Sequence, residues 1–186
     1  FTSATNSNNT AVGYGAGENV TTGTINTLLG SQAGNDITSG VENTLVGGLA
    51  GDALTDADFN VAIGSGALGT DTQGSRTVAI GRNALLAQNF SSATSSNNTA
   101  VGYESGRNTT TGIDNTYLGS NAGYATTDSD DNVAIGRSAL ATNTVGSKST
   151  AVGSGALNQQ NPASAADTYN VALGYHAGND VTTGTD

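Results

Sequence analysis

A polar residue, a Thr or Val, two apolar residues and a Gly recur in phase ten times along the chain. The ten glycines are Gly13, Gly30, Gly47, Gly64, Gly81, Gly102, Gly119, Gly136, Gly153 and Gly174. They are spaced by 17 residues, except for steps of 21 after Gly81 and after Gly153. The residue before each Gly is aliphatic throughout (Val12, Leu29, Val46, Ile63, Ile80, Val101, Leu118, Ile135, Val152, Leu173), and this column reads as the core. Two residues further back every position is Thr or Val, as one face of a short strand prefers. The Gly then marks a bend or a close backbone approach.

Three residues after the Gly comes Ala in nine coils and Ser105 in the other, a column small enough for tight stacking on another wall or another chain. Eight residues after it stands Thr in all eight coils with a 17-residue continuation, from Thr21 to Thr182, which predicts an outer strand. Six of those eight place Gly two residues later, a second corner. Repetition at so short a period predicts an all-β parallel β-roll or β-solenoid of about ten coils, in which no coil buries its apolar face alone.

A longer period is superimposed on the coil. Residues 52–106 align without a gap on residues 124–178, an offset of 72, and each block ends in a four-residue insertion. The fourth position after the Gly alternates in step, as Leu68 and Leu85 in one block and Leu140 and Leu157 in the other, with Gly elsewhere. Block duplication explains the pattern, and residues 90–96 and 162–168 are expected to project as loops.

Composition adds an expectation of assembly. Val, Ile, Leu and Phe number 33 of 186 residues, a fraction that ordinarily flags disorder. Strict phasing and a charged fraction of 11 % argue for order instead, with burial between identical chains making up the deficit. The expected state is an oligomer. A net charge of −10 argues against nucleic acid and anionic membrane as partners. With no Cys there is neither a disulfide framework nor a thiolate metal site, and no apolar run approaches a membrane span. The whole of 1–186 reads as a single solenoid segment, expected to be a piece of a longer chain.

Asn60-Val-Ala-Ile-Gly64, Thr77-Val-Ala-Ile-Gly81 and Asn132-Val-Ala-Ile-Gly136 resemble the head repeats of trimeric autotransporter adhesins. Asn9-Thr-Ala-Val-Gly-Tyr14 and Asn98-Thr-Ala-Val-Gly-Tyr103 resemble the related repeats of phage tail fibres, cyanophage fibres especially. The likeness covers nearly the whole chain, although the adhesin repeat is shorter than 17 residues. It implies a homotrimer, a β-roll wound by each of three chains and packed into a fibre that serves host attachment or acts as a spacer. The implied partners are the chain itself and a host cell-surface glycan or protein, and the implied location is a virion or a cell surface.

Chemistry-bearing clusters are few. Asp56 and Asp58 recur as Asp128 and Asp130, joined by Asp131, and hard oxygen ligands in a turn are calcium candidates. Their plainer reading, as acidic turn residues that solvate the fibre, ranks ahead, and no other cofactor is expected. Tyr14, Tyr103 and Tyr175 follow the strand Gly and suit a sugar surface or, better, a chain–chain interface or coil edge. His176 has no second His or Cys to join it, which argues against zinc and thiol chemistry. The chain therefore reads as a structural and adhesive fibre segment and not an enzyme, with a virion tail fibre ahead of a bacterial surface adhesin head. An ice-binding solenoid ranks lower, because the position two before the Thr column varies from Asn19 to Asp36 to Ala53 and breaks a flat Thr array. A polysaccharide-cleaving β-helix ranks lower too, since its groove carboxylates would have to come from the turn aspartates.

Overall fold

The computed structural model describes residues 7–185. Phe1 and Asp186, the ends on which the reading of a longer chain rests, lie outside them. The described residues form a β-solenoid without a helix, one coil per phased glycine. Each coil contributes a three-residue strand to one ten-stranded parallel sheet. These strands are β1 (Thr10–Val12), β2 (Thr27–Leu29), β3 (Thr44–Val46), β4 (Val61–Ile63), β6 (Val78–Ile80), β8 (Thr99–Val101), β9 (Thr116–Leu118), β10 (Val133–Ile135), β12 (Thr150–Val152) and β14 (Val171–Leu173). Pairing follows the repeat, Thr10 with Thr27 and Val61 with Val78, and keeps register across the longer steps, where Val78 meets Thr99 and Thr150 meets Val171.

The sheet buries the opposite face from the one expected. The column before the glycine points outward, as do the Thr and Val two residues earlier, while the residue between them points in. Leu28, Leu45, Ala62, Ala79, Ala100, Tyr117, Ala134 and Ala151 are all fully buried, whereas Leu29, Ile63 and Leu118 are 47 %, 37 % and 45 % exposed. Strand alternation makes the choice binary, and the uniform aliphatic column proved to be the outer one. The alanine column lies inside the coil too, against this chain's own wall.

The inner column looks irregular because its size is traded against the fourth position after the glycine. Where the strand supplies Leu or Tyr, that position is Gly (Gly34, Gly51, Gly123); in four of the seven coils where it supplies Ala, Leu68, Leu85, Leu140 and Leu157 fill the space, and in the other three Gly17, Gly106 and Gly178 leave both places small. A Cβ on Gly34 would lie 2.9 Å from both Leu28 and Leu45, and one on Gly123 would lie 2.5 Å from the Tyr117 ring. Volume is thus traded between the two places in seven of the ten coils, as close packing favours.

Buried asparagines line one corner. Asn26, Asn43, Asn60, Asn98, Asn115 and Asn132 are at most 1 % exposed. Asn43 shows the arrangement: its Oδ1 accepts the N–H of Asn60 at 3.0 Å, and its Nδ2 donates to the carbonyl of Ala57 at 2.8 Å. Each amide therefore satisfies a buried donor and a buried acceptor that the turn would otherwise orphan.

Thr77 and Ser149 interrupt this ladder in the two coils that carry insertions. There Gln88 and Gln160 take over. Gln88 donates to Thr77 Oγ1 at 3.1 Å and to Asp71 Oδ2 at 2.6 Å, and accepts from Asn98 Nδ2 at 2.9 Å. Gln160 bonds Ser149, Thr168 and Asn170 in the second block.

The threonine column is a corner and not a strand. The N–H groups of Thr38, Ser39 and Gly40 converge on the single carbonyl of Thr55, which bends the backbone tightly. The hydroxyls of Thr21, Thr38, Thr55, Thr110 and Thr127 each donate to the carbonyl one coil on. Among the described residues a second wall forms only at the insertions, where β5 (Gly74–Ser75) pairs with β7 (Thr94–Ser95) and β11 (Gly146–Ser147) with β13 (Ala166–Asp167).

Candidate functional site

The outward face of the ten-stranded sheet is the largest candidate surface. It presents two parallel columns, one of Thr and Val and one of Val, Ile and Leu, down every coil. At roughly 4.8 Å per strand, ten strands make an apolar stripe about 43 Å long. Parallel sheets are ordinarily covered on both faces, and a contiguous exposed apolar patch marks an interaction surface. Tyr14, Tyr103 and Tyr175 follow the glycines along the edge of this stripe and are 82 %, 47 % and 79 % exposed.

The insertions project less than their length suggests. Phe90 is 6 % exposed and packs over Gly74, and Pro162 packs over Gly146 in the same way. Ser96 and Thr168 are buried against the hydroxyls of Thr77 and Ser149. Asp71 accepts the Phe90 N–H at 3.1 Å; Pro162 has no N–H to give, and the residue matching Asp71 is Asn143. What stands out is residues 91–93 and 163–165, with Ser95 and Asp167 beside them.

Basic residues pair with tyrosines one coil away. The Arg82 guanidinium lies 5.8 Å from the Tyr103 ring centroid, Arg107 lies 5.9 Å from Tyr124 and Lys148 Nζ lies 5.6 Å from Tyr169. Lys148 also meets Asp167 Oδ2 at 2.7 Å, and Tyr169 Oη donates to the same oxygen at 3.1 Å. These hydrogen bonds hold the Asp167 carboxyl below its ordinary range and raise the Lys148 ammonium. Exposed pairs of this kind order the surface more than they stabilise it.

The aspartates proposed as calcium ligands are engaged by the backbone. Asp58 Oδ1 accepts the Val41 N–H at 2.8 Å, and Asp130 Oδ1 accepts the Ile113 N–H at 2.8 Å. Asp58 and Asp130 in turn donate their own N–H groups to Ser75 and Ser147. Asp56 and Asp128 bond the adjacent Thr55 and Thr127 hydroxyls, and Asp131 is exposed on left-handed backbone. Among the described residues no three His, Cys, Asp or Glu side chains gather in a group that could hold a metal.

Tyr117 stands apart from the other tyrosines. It is fully buried, and its hydroxyl faces Thr126, Thr109 and Ser129 without reaching hydrogen-bond geometry with any protein group. Desolvation pushes its pKa up to about 12. The folded state therefore keeps the proton that the unfolded chain releases near pH 10, and stability present below pH 10 is lost as pH rises toward 12. Between pH 9 and 12 the native protein is expected to lose about 2–3 kcal/mol more than Tyr117→Phe. Below pH 9 the Phe variant should be as stable or about 1 kcal/mol more stable, since an unpartnered buried hydroxyl is removed. Urea unfolding of both proteins across that range checks this, and parallel pH curves would refute it.

The asparagine ladder and the two glutamines escaped the reading of the sequence, although a signal was there. Asn gives way to Thr77 and Ser149 only in the coils that carry insertions, and Gln88 and Gln160 stand only in those same coils. No protein-family model, curated protein or solved structure matches the chain.

Proposed function

We propose that this chain is a segment of a homotrimeric fibre, structural and adhesive, of the kind that forms virion tail fibres and meets a host surface. The observation that carries this reading is the uncovered apolar face of the ten-stranded sheet. A second and third copy of the chain are the natural cover for a stripe that repeats at the strand spacing over the whole length. The acidic remainder, with its net charge of −10, keeps such a fibre soluble. The resemblance of the Asn-Thr-Ala-Val-Gly-Tyr phrases supports a virion location and a glycan or protein receptor. The exposed parts of the insertions, residues 91–95 and 163–167, offer the receptor contact. In the corner column the hydroxyls of Thr38, Thr55 and Thr110 are spent on carbonyls of the next coil, which disfavours that column as an ice-binding face.

Light scattering at neutral pH is expected to give three times 18.2 kDa for the native chain. Ile63→Glu with Leu118→Glu should give a folded monomer under the same conditions, because an unpaired carboxylate cannot be buried cheaply in such a face. A native chain that stays monomeric at high concentration would overturn the reading.

A further inference from the structure

Coils are numbered by their glycines, from Gly13 in coil 1 to Gly174 in coil 10. The turn after each glycine forms a wall beside the outer sheet face, and its columns stay in register. The Asn121 N–H bonds the Tyr103 carbonyl and the Ser138 N–H bonds the Ser120 carbonyl, each at 2.9 Å, while the Asn108 N–H reaches the Tyr124 carbonyl at 3.2 Å. Through coils 5 to 8 the first column after the glycine runs Arg82, Tyr103, Ser120, Arg137, and the fifth runs Leu86, Arg107, Tyr124, Ala141. We propose that the site bounded by Tyr103, Tyr124 and Arg137, and floored by Ser120, Asn121 and Ser138, binds one ring of an acidic sugar, a pyranose that carries a carboxylate.

Shape is the first support. Tyr103 and Arg137 stand two coils apart, about 9.6 Å at the strand spacing, with only the short Ser120 between them. Contacts of about 4 Å on either side leave that gap to one puckered ring. Arg82 lies over one face of the Tyr103 ring, which leaves the face toward Ser120 open. Tyr124 repeats the arrangement one coil later, between Arg107 and the small Ala141.

The polar groups around the gap are donors. Tyr103 Oη accepts from Arg82 Nη1 at 3.3 Å and Tyr124 Oη from Arg107 Nη1 at 3.4 Å, so both phenols keep their own protons to give. Ser120 Oγ donates to Asn121 Oδ1 at 2.9 Å, which leaves the Asn121 side-chain N–H groups. Among the described residues neither those groups nor the exposed Arg137 guanidinium has a hydrogen-bond or ion-pair partner. A carboxylate is the acceptor that such a set favours.

Local charge points the same way. The first six positions after the glycine in coils 5 to 8 hold Arg82, Arg107 and Arg137 against Glu104 alone, in a chain of net charge −10. The same positions in coils 1 to 3 hold Glu18, Asp36 and Asp52 and no cation. Glu104 lies 3.9 Å from Arg82 and 3.8 Å from Arg107 and accepts from Asn83 Nδ2 at 3.4 Å, and its side chain is only 16 % exposed. It therefore fixes the two guanidiniums that order the tyrosines. At the offset of 72, Tyr103, Tyr124 and Arg137 are matched by Ser31, Asp52 and Ser65, so the earlier block carries the winding without these groups.

The site lies within one chain, so its failure and the failure of the proposed assembly are separate results. Calorimetric titration of the native chain with trigalacturonate tests it, beside the fully methyl-esterified trisaccharide, which has the same rings without the charge. The acid is expected to bind, and the ester to bind about tenfold more weakly or worse. Arg137→Gln and Tyr103→Ala should each weaken binding of the acid by about tenfold or more. Arg76→Gln, which removes an exposed charge elsewhere, should leave it unchanged. Glycine at 91–93 and 163–165 should also leave it unchanged. No binding of the acid, or equal binding of the ester, would overturn the proposal. So would a loss with Arg76→Gln equal to that with Arg137→Gln, which would mean diffuse attraction, or a loss with the glycine insertions, which would place the contact there.

Discussion

Replacing Gly102 by alanine is expected to cost about 3–6 kcal/mol, enough to unfold much of the chain, because two independent penalties coincide. The residue sits at φ 142°, in a region that L side chains rarely adopt. A Cβ there would lie 2.6 Å from both the carbonyl carbon and oxygen of Gly119 in the next coil. The obstacle is backbone, itself tied into the solenoid by the bond from the Gly119 N–H to the Val101 carbonyl at 2.8 Å, so it cannot swing aside. Gly48→Ala is the control: its Cβ would meet only the Ser31 carbonyl, at 3.9 Å, and the change should stay within about 0.5 kcal/mol. Urea unfolding of the two variants against the native chain measures the contrast. A cost below about 1 kcal/mol at Gly102 would mean that the coils do not stack through their glycines as closely as described.

The second large effect is expected at Asn43. Asn43→Ala leaves the N–H of Asn60 and the carbonyl of Ala57 without their side-chain partner in a fully buried corner. Each orphaned group costs about 1–3 kcal/mol, so the variant should lose about 2–5 kcal/mol by chemical denaturation. Asn43→Thr should be nearly as damaging, even though Thr77 occupies the same place in coil 5. Thr77 is supported by Gln88, whereas the position matching Gln88 in the coil of Asn43 and Gly47 is Leu54, which offers no hydrogen bond. A loss below 1 kcal/mol for Asn43→Ala would show that the ladder contributes geometry without stability.

How much of this could be read beforehand depends on which property repeats. The coil length, the phase and the parallel register follow from the glycine spacing, and the structure pairs Thr10 with Thr27 and Val78 with Thr99 as that spacing requires. The direction of the sheet faces did not follow. Val12, Leu29 and Val46 form a column more uniform than Ala11, Leu28 and Leu45, and uniformity suggested burial. In seven of the ten coils the real core divides the layer's volume between the strand and the fourth position after the glycine, so neither column looks like a core when read alone. Leu85 with Ala79, against Gly123 with Tyr117, shows the trade that has to be read as a pair. The threonine column misled for a related reason. Constancy reads as the mark of a strand, but Thr55 is constant because its hydroxyl and carbonyl hold a corner. The aspartates were visible as a recurring cluster, yet their recurrence reflects the N–H groups of Val41 and Ile113 that Asp58 and Asp130 accept.

The ladder of inter-coil bonds also sets how the molecule answers a pulling force. Its strands lie across the long axis, and bonds such as Gly30 N–H to the Val12 carbonyl run from coil to coil. Tension applied through the two chain ends therefore strips the terminal coil first and loads one coil's bonds at a time. A single chain should pay out in steps of about one coil at low force, like tape leaving a roll. Bonded side by side with others through its outer face, the same coil could leave only by sliding a whole apolar stripe past its neighbours. Tensile strength in such a rod would come from lateral bonding, and length from the winding.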